Sequence, residues 1–261
     1  MATNLLIGYP QVVSGAGMAA TPQVAAAAGC GPENLQGGGR GQTFKLGSAQ
    51  VECNVVWDTG ASNAYALDFF YVARVDLLKA QGSTRVRLES SADNVTYANH
   101  VGVSPQAATL YGPRGEDLIM TAETHPGSFP ISTTCRYFRH YAAFGDPAGT
   151  WEHSKAWWGN WLDLGRDPIF PRQVALVPKA PGERAPRHAF AFTWRGISDA
   201  KRAEFLAALV AQAESGCVLY TRSYHPVLLN YRVLHCRLAA WTLRRRAKDG
   251  HEINATFEEL I

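Results

Sequence analysis

The residues of this 261-residue chain best suited to chemistry stand together at Asp58-Thr59-Gly60-Ala61. A carboxylate followed by a hydroxyl and a glycine can supply half of a catalytic dyad. In that device two carboxylates share one proton, so that one acts as base and the other as acid. A second Asp-Thr-Gly or Asp-Ser-Gly, which a single chain would need, does not occur in the sequence. The competing reading is a polar turn in a β-sandwich, with the Asp58 carboxylate capping that turn.

Other reactive types are scattered. His100, His125, His140 and His153 lack the close spacing of a zinc site, and neither H-E-x-x-H nor G-x-S-x-G is present. The glycine-rich Leu35–Gly41 stretch is followed by Gln42-Thr43-Phe44-Lys45-Leu46, which alternates like a strand. A phosphate loop needs a helix there, usually opened by Lys and Ser or Thr, so a plain loop is expected. No catalytic residue, metal or cofactor is therefore assigned. Trp151, Trp157, Trp158 and Trp161 fall close together and can cap a core, form a subunit interface or stack on a sugar. Arg244-Arg245-Arg246 fits a wet strand end or a protein contact.

The elements that would carry these residues are mostly strands. Ala64–Val75 is an apolar, aromatic run that suits a strand buried on both faces. After the turn signal Gln81-Gly82-Ser83, Thr84–Ser90 alternates polar and apolar, which predicts a strand with one wet face. The two together predict a hairpin. Further strands are expected at Asn4–Ile7, Pro10–Val13, Cys135–Phe144, His188–Arg195 and Cys217–Thr221. The last three fall at Tyr231–Arg237, Leu238–Arg245 and Ile253–Leu260. One helix is expected over Asp199–Ser215, with Ser198 as N-cap and Gly216 as stop. Pro171, Pro178, Pro181 and Pro186 mark a junction between a unit at 1–170 and one at 171–261.

The totals fit. With 46% hydrophobic and 18% charged residues, 24 Gly and 14 Pro, the composition favours turn-rich β structure. A net charge of +3 does not argue for nucleic acid. Five widely spaced cysteines, with no C-x-x-C pair, predict reduced and mostly buried thiols made in a cytoplasm. No signal peptide opens the chain, and no run of 18 apolar residues would span a membrane.

Two resemblances follow from these residues. Asp58-Thr59-Gly60-Ala61-Ser62 is similar to the aspartic-protease signature, and Leu164-Gly165-Arg166-Asp167 resembles the bracing segment of the retroviral type. The order of features over 40–168 resembles a galactose-binding-like (discoidin-type) jelly-roll module of tailed-bacteriophage tail and baseplate proteins. The features are the Asp58–Ala61 strand end, Ala64–Val75, Thr84–Asp93, Arg136-Tyr137-Phe138-Arg139 and Trp161–Arg166. The C-terminal part resembles the β–helix–β units of distal-tail and minor-tail proteins. That resemblance implies a mostly β chain, an N-terminal jelly roll plus a small α+β tail module with one main helix. It further implies a non-enzymatic virion protein of the distal tail tip, assembled in the host cytoplasm. It would form a homo-oligomeric ring, hexamer or trimer, around the tail tube or hub and contact host-surface glycan. Trp151, Trp157, Trp158, Trp161 and Arg244–Arg246 are the expected ring interface. The alternatives are a stand-alone carbohydrate-binding module and an aspartic protease using Asp58.

Overall fold

The computed structural model describes residues 5–12, 17–21, 27–30, 32–35, 43–48, 52–74, 83–103, 116–144, 152–170, 174–178, 187–210, 216–222, 232–246 and 250–260. The chain divides into two units, Pro10–Asn160 and Met1–Tyr9 with Trp161–Ile261. The division thus falls after residue 160, where the proline-rich stretch had pointed to 170, and the opening strand belongs with the C-terminal part. The chain is mostly β. It begins with β1 (Leu5–Val12), β2 (Gly17–Thr21), β3 (Phe44–Lys45), β4 (Glu52–Leu67), β5 (Phe69–Val72) and β6 (Ser83–Ser91). Next come β7 (Ala98–Val103), β8 (Leu118–Thr121), β9 (Ile131–Phe144), β10 (Glu152–His153), β11 (Ala156–Leu162), β12 (Ala175–Val177) and β13 (Arg187–Ile197). A helix, α1 (Asp199–Phe205), precedes β14 (Cys217–Thr221), β15 (Val233–Arg246) and β16 (Gly250–Glu259).

In Pro10–Asn160 an antiparallel sheet of order β2-β4-β9-β6-β7 packs against the strands β11-β5-β8 to make a jelly-roll-like sandwich. Alternation along β4 turns Cys53, Val55 and Trp57 inward. They meet Phe70, Met120 and Trp158 from the opposing strands in one core. The rings of Phe138 and Phe70 lie 5.3 and 4.9 Å from that of Trp158. His140 is wholly buried on the same inner side of β9, its ring 5.1 Å from Phe70. Burial pushes its pKa down to about 3, so the ring stays neutral. β5 is buried on both faces, as an unbroken FFYV run requires. Its Tyr71 packs on Trp157 at 5.4 Å and donates from its hydroxyl to Asp117 Oδ2 at 2.7 Å.

The expected hairpin does not form. The apolar run splits at Asp68, whose N–H donates to the Gly159 carbonyl, so that β4 ends in one sheet and β5 begins in another. β6 pairs instead with β9 and β7. The glycine loop lies mostly outside the described residues.

The other unit has the strand order β12-β13-β16-β15-β14-β1. Phe190, Phe192 and Trp194 of β13 face the same core as Ile253 and Phe257 of β16. α1 adds Phe205 to it, and Ser198 caps the helix by accepting from the Lys201 N–H. The expected long helix is α-helical only to Phe205 and continues as a π turn over Leu206–Val210; 211–215 lie outside the described residues. Two expected strands are one, β15, which absorbs a bulge between Leu238 and Ala240. Gly250 opens β16 at φ +77°, and a Cβ there would sit 2.6 Å from the Ile197 carbonyl oxygen. Only glycine fits that approach. Cys217 stands opposite Cys236 across β14 and β15, both buried and with no disulfide between them. Among the described residues no helix is long and apolar enough to cross a membrane.

Two outcomes follow from this packing. Trp158→Ala should cost about 3–5 kcal/mol, read from urea unfolding, because its cavity touches both layers of the sandwich. His140 has a folded pKa below its ordinary 6.5. Its neutral form therefore supports the fold fully above pH 6.5, and that support is lost progressively as pH falls towards 3. His140→Leu should flatten the fall in unfolding midpoint over that range; an unchanged acid limb would assign the loss to other groups.

Candidate functional site

The inward residues of β4, β9 and β6 are spoken for by the core, and their outward neighbours form a partly buried polar face. Strand register sets them in rows. Asn54 and Arg87 flank Tyr141, Val56 and Glu89 flank Arg139, and Asp58 and Ser91 flank Tyr137. Three tyrosines on or beside this face each carry a guanidinium. Arg87 lies over Tyr141 at 3.9 Å, Arg139 over Tyr97 at 3.6 Å, and Arg136 over Tyr137 at 5.0 Å.

Carboxylates hold these cations in place. Glu89 is buried and takes Arg139 Nε on one oxygen, with Arg87 Nε 3.6 Å from the other. The Tyr141 hydroxyl donates to Glu52. Asp58 grips Arg136 with both oxygens, at 2.6 and 2.7 Å. Tyr97 is set by the β6–β7 loop, where Asn94 adopts the left-handed conformation at φ +61° and accepts from the Tyr97 hydroxyl. Asp93 nucleates that loop by accepting from the Val95 and Thr96 N–H groups at 2.9 and 2.8 Å.

Asp93, Tyr97 and Asp58 each keep one protonation state around neutrality. Backbone donors hold Asp93 down at about 2, and desolvation pushes Tyr97 up to about 12. The Arg136 guanidinium, helped by the Gly60 N–H, holds Asp58 below the usual carboxylate range. A face with fixed charge suits recognition better than proton transfer. Among the described residues the Asp58 carboxylate meets a guanidinium, Arg136, and not the second carboxyl that a shared-proton dyad needs. It does cap a turn, accepting from the Gly60 N–H at 2.8 Å, where a bulge lies between Asp58 and Asn63.

The expected interface residues are dispersed. Trp157 and Trp158 have no exposed surface, so they are core side chains and cannot meet a neighbouring subunit. Trp161, in the other unit, is half-buried and stacked on Tyr220 at 5.4 Å. Trp151 lies outside the described residues. Arg244, Arg245 and Arg246 are exposed on β15, with Arg246 bound to Glu252 at 2.7 Å. Arg87, Glu89, Tyr97, Arg139 and Tyr141 were not singled out from the sequence. Their signal was the wet side of the Thr84–Ser90 alternation and the aromatic, basic character of Cys135–Phe144. Among the described residues no group of three or more His, Cys, Asp or Glu is placed to hold a metal.

No protein-family model and no curated protein matches the sequence. Solved structures give likenesses of fold. A mutant GH29 fucosidase of Ruminococcus gnavus in complex with fucose is 11% identical, at TM-score 0.40, over 55% of this chain and 24% of its own. CBM32-1 from a family 31 glycoside hydrolase of Clostridium perfringens is 13% identical, at TM-score 0.39, over 57% and 98%. Chitosan-binding module 1 from a chitosanase/glucanase of Paenibacillus sp. IK-5 is 11% identical, at TM-score 0.39, over 56% and 96%. The match thus spans about a quarter of the fucosidase.

The Asp58–Arg136 pair sets a pH test. Because the folded pKa of Asp58 is lowered, the pair supports the fold above the ordinary carboxylate value and is lost as pH falls through the folded one. Asp58→Asn should be less stable than the parent at pH 7, and urea midpoints should converge as pH drops below about 4. Midpoints that stay apart down to pH 2.5 would show that the effect is not ionic.

Proposed function

We propose that the Pro10–Asn160 sandwich is a non-catalytic carbohydrate-binding module whose ligand lies along the outer face of β4, β9 and β6. The observation that carries this reading is the set of three tyrosine–guanidinium stacks on or beside one face, each guanidinium held near a carboxylate. A sugar offers an apolar C–H face and neighbouring hydroxyls that both donate and accept. Tyrosine supplies a rigid apolar plane with a polar tip, and guanidinium and carboxylate groups supply forked donors and acceptors. The terminal nitrogens of Arg139 have no hydrogen-bond partner among the described residues. The ordering cost of such a site is met on folding, which leaves more of the contact energy for binding.

The tail-tip role implied by the motif order would give this binding a place, on a particle that must hold a host-surface glycan. It rests on that order alone, and the binding face stands without it. Antibody-gold on intact particles from a producing lysate tests it: gold at the tip supports it, and chain found only in solution removes it.

The binding reading is tested with the full chain on a glycan array, followed by calorimetric titration of any hit. Saturable binding is expected, weakened about tenfold or more by Tyr137→Ala or Arg139→Ala, equivalent to roughly 1.4 kcal/mol. Binding that survives both substitutions would move the ligand off this face. An array with no hit, confirmed at millimolar sugar, would count against carbohydrate altogether.

A further inference from the structure

A strand edge of the C-terminal unit has no strand partner among the described residues. β14 pairs with β15 only from Val233 to Cys236, while β16 pairs with β15 as far as Arg246. Beyond the bulge, Ala240–Arg246 runs in unbroken register with β16, from Ala240 opposite Thr256 to Arg246 opposite Gly250. Its other edge has no strand partner among the described residues. Seven residues present about 23 Å of backbone, whose alternate N–H and C=O groups are a ready template for another strand.

Side chains beside this edge select what can add to it. Trp241, Leu243 and Arg245 share the face of Ala255, Ile253 and His251, as the pairing requires. Trp241 meets Phe205 edge-on at 6.2 Å yet keeps 39% of its surface exposed. Ala240, Thr242, Arg244 and Arg246 occupy the opposite face. Arg246 is bound to Glu252, Arg245 feels the Asp199 carboxylate without a close ion pair, and Arg244 makes no ion pair among the described residues. The edge therefore combines an apolar centre with a basic end, where Arg244 and Arg245 lie one on each face. A second copy paired antiparallel on the same edge would set its arginines beside Ala240–Thr242 and bring them no carboxylate. An extended segment with carboxylates at its end and apolar residues beside Trp241 and Leu243 complements it in charge and pattern.

We propose that Ala240–Arg246 is a strand-addition site for an extended acidic segment of a partner protein. Backbone hydrogen bonds would give it affinity in any such sequence. Carboxylates bound to Arg244 and Arg245 would set its register and choice of partner.

The probe is a synthetic peptide of about ten residues, alternating Val and Glu, with a Val–Lys peptide as control. It is titrated into the full-length chain while amide hydrogen exchange is followed. Expected are saturable binding of the acidic peptide, new protection confined to Ala240–Arg246, and affinity that falls steeply with salt. Arg244→Glu with Arg245→Glu, both exposed and outside the core, should weaken binding about tenfold or more. Equal binding of the Lys peptide, or binding that leaves these amides unprotected, would overturn the proposal. So would protection of Ala240–Arg246 without peptide in a chain that sediments as a dimer, which would make the occupant a second copy. Glycan binding by the other unit is read separately and does not bear on the result.

Discussion

The period of two along β9 is the constraint on which the sandwich depends. Phe138, His140 and Ala142 point into the core, and Tyr137, Arg139 and Tyr141 point away from it. β9 is paired on both sides, with β4 and with β6, so its register fixes the contents of both faces at once. A slip of one residue would bury two tyrosines with a guanidinium and expose the phenylalanine that touches Trp158. The cost of burying an unpaired Arg139 alone makes that register inaccessible. The core thus holds the polar face in place as firmly as it holds itself.

A second regularity links the two units. In each, a carboxylate with little exposed surface is shared between two guanidinium groups. Glu89 lies between Arg87 and Arg139, Glu252 between Arg195 and Arg246, and Glu258 between Arg187 and Arg237. One anion against two cations leaves a local positive excess at each of these three sites. The modest net charge of +3 conceals this local arrangement.

Local features of the fold were legible in the sequence, and partnerships were not. Thr84–Ser90 declared a strand with one wet side by alternation, Cys217–Thr221 is the strand at the expected bounds, and Ser198 announced a helix start by its residue type. The place of β6 beside β9 was invisible, because it joins segments about fifty residues apart in a pairing that depends on packing. The same holds for β1, whose partner is β14 near the other end of the chain. Asp58 looked catalytic because its neighbours in sequence resemble a signature; its neighbour in space, Arg136, decides its chemistry. The tryptophan cluster misled for a related reason. Trp157 and Trp158 point to opposite faces of β11, and both faces are covered, which adjacency in sequence cannot reveal.

The burial of Cys217, which faces Cys236 across two strands, carries a consequence for its reactivity. Burial raises the Cys217 pKa far above neutrality, so almost none of it is present as the thiolate that attacks a disulfide or an oxidant. The Cys217 sulfur thus behaves as a packing atom. Chemistry there would require β14 to open first, so the reactivity of the thiol follows the local stability of that strand and not its neighbours in sequence.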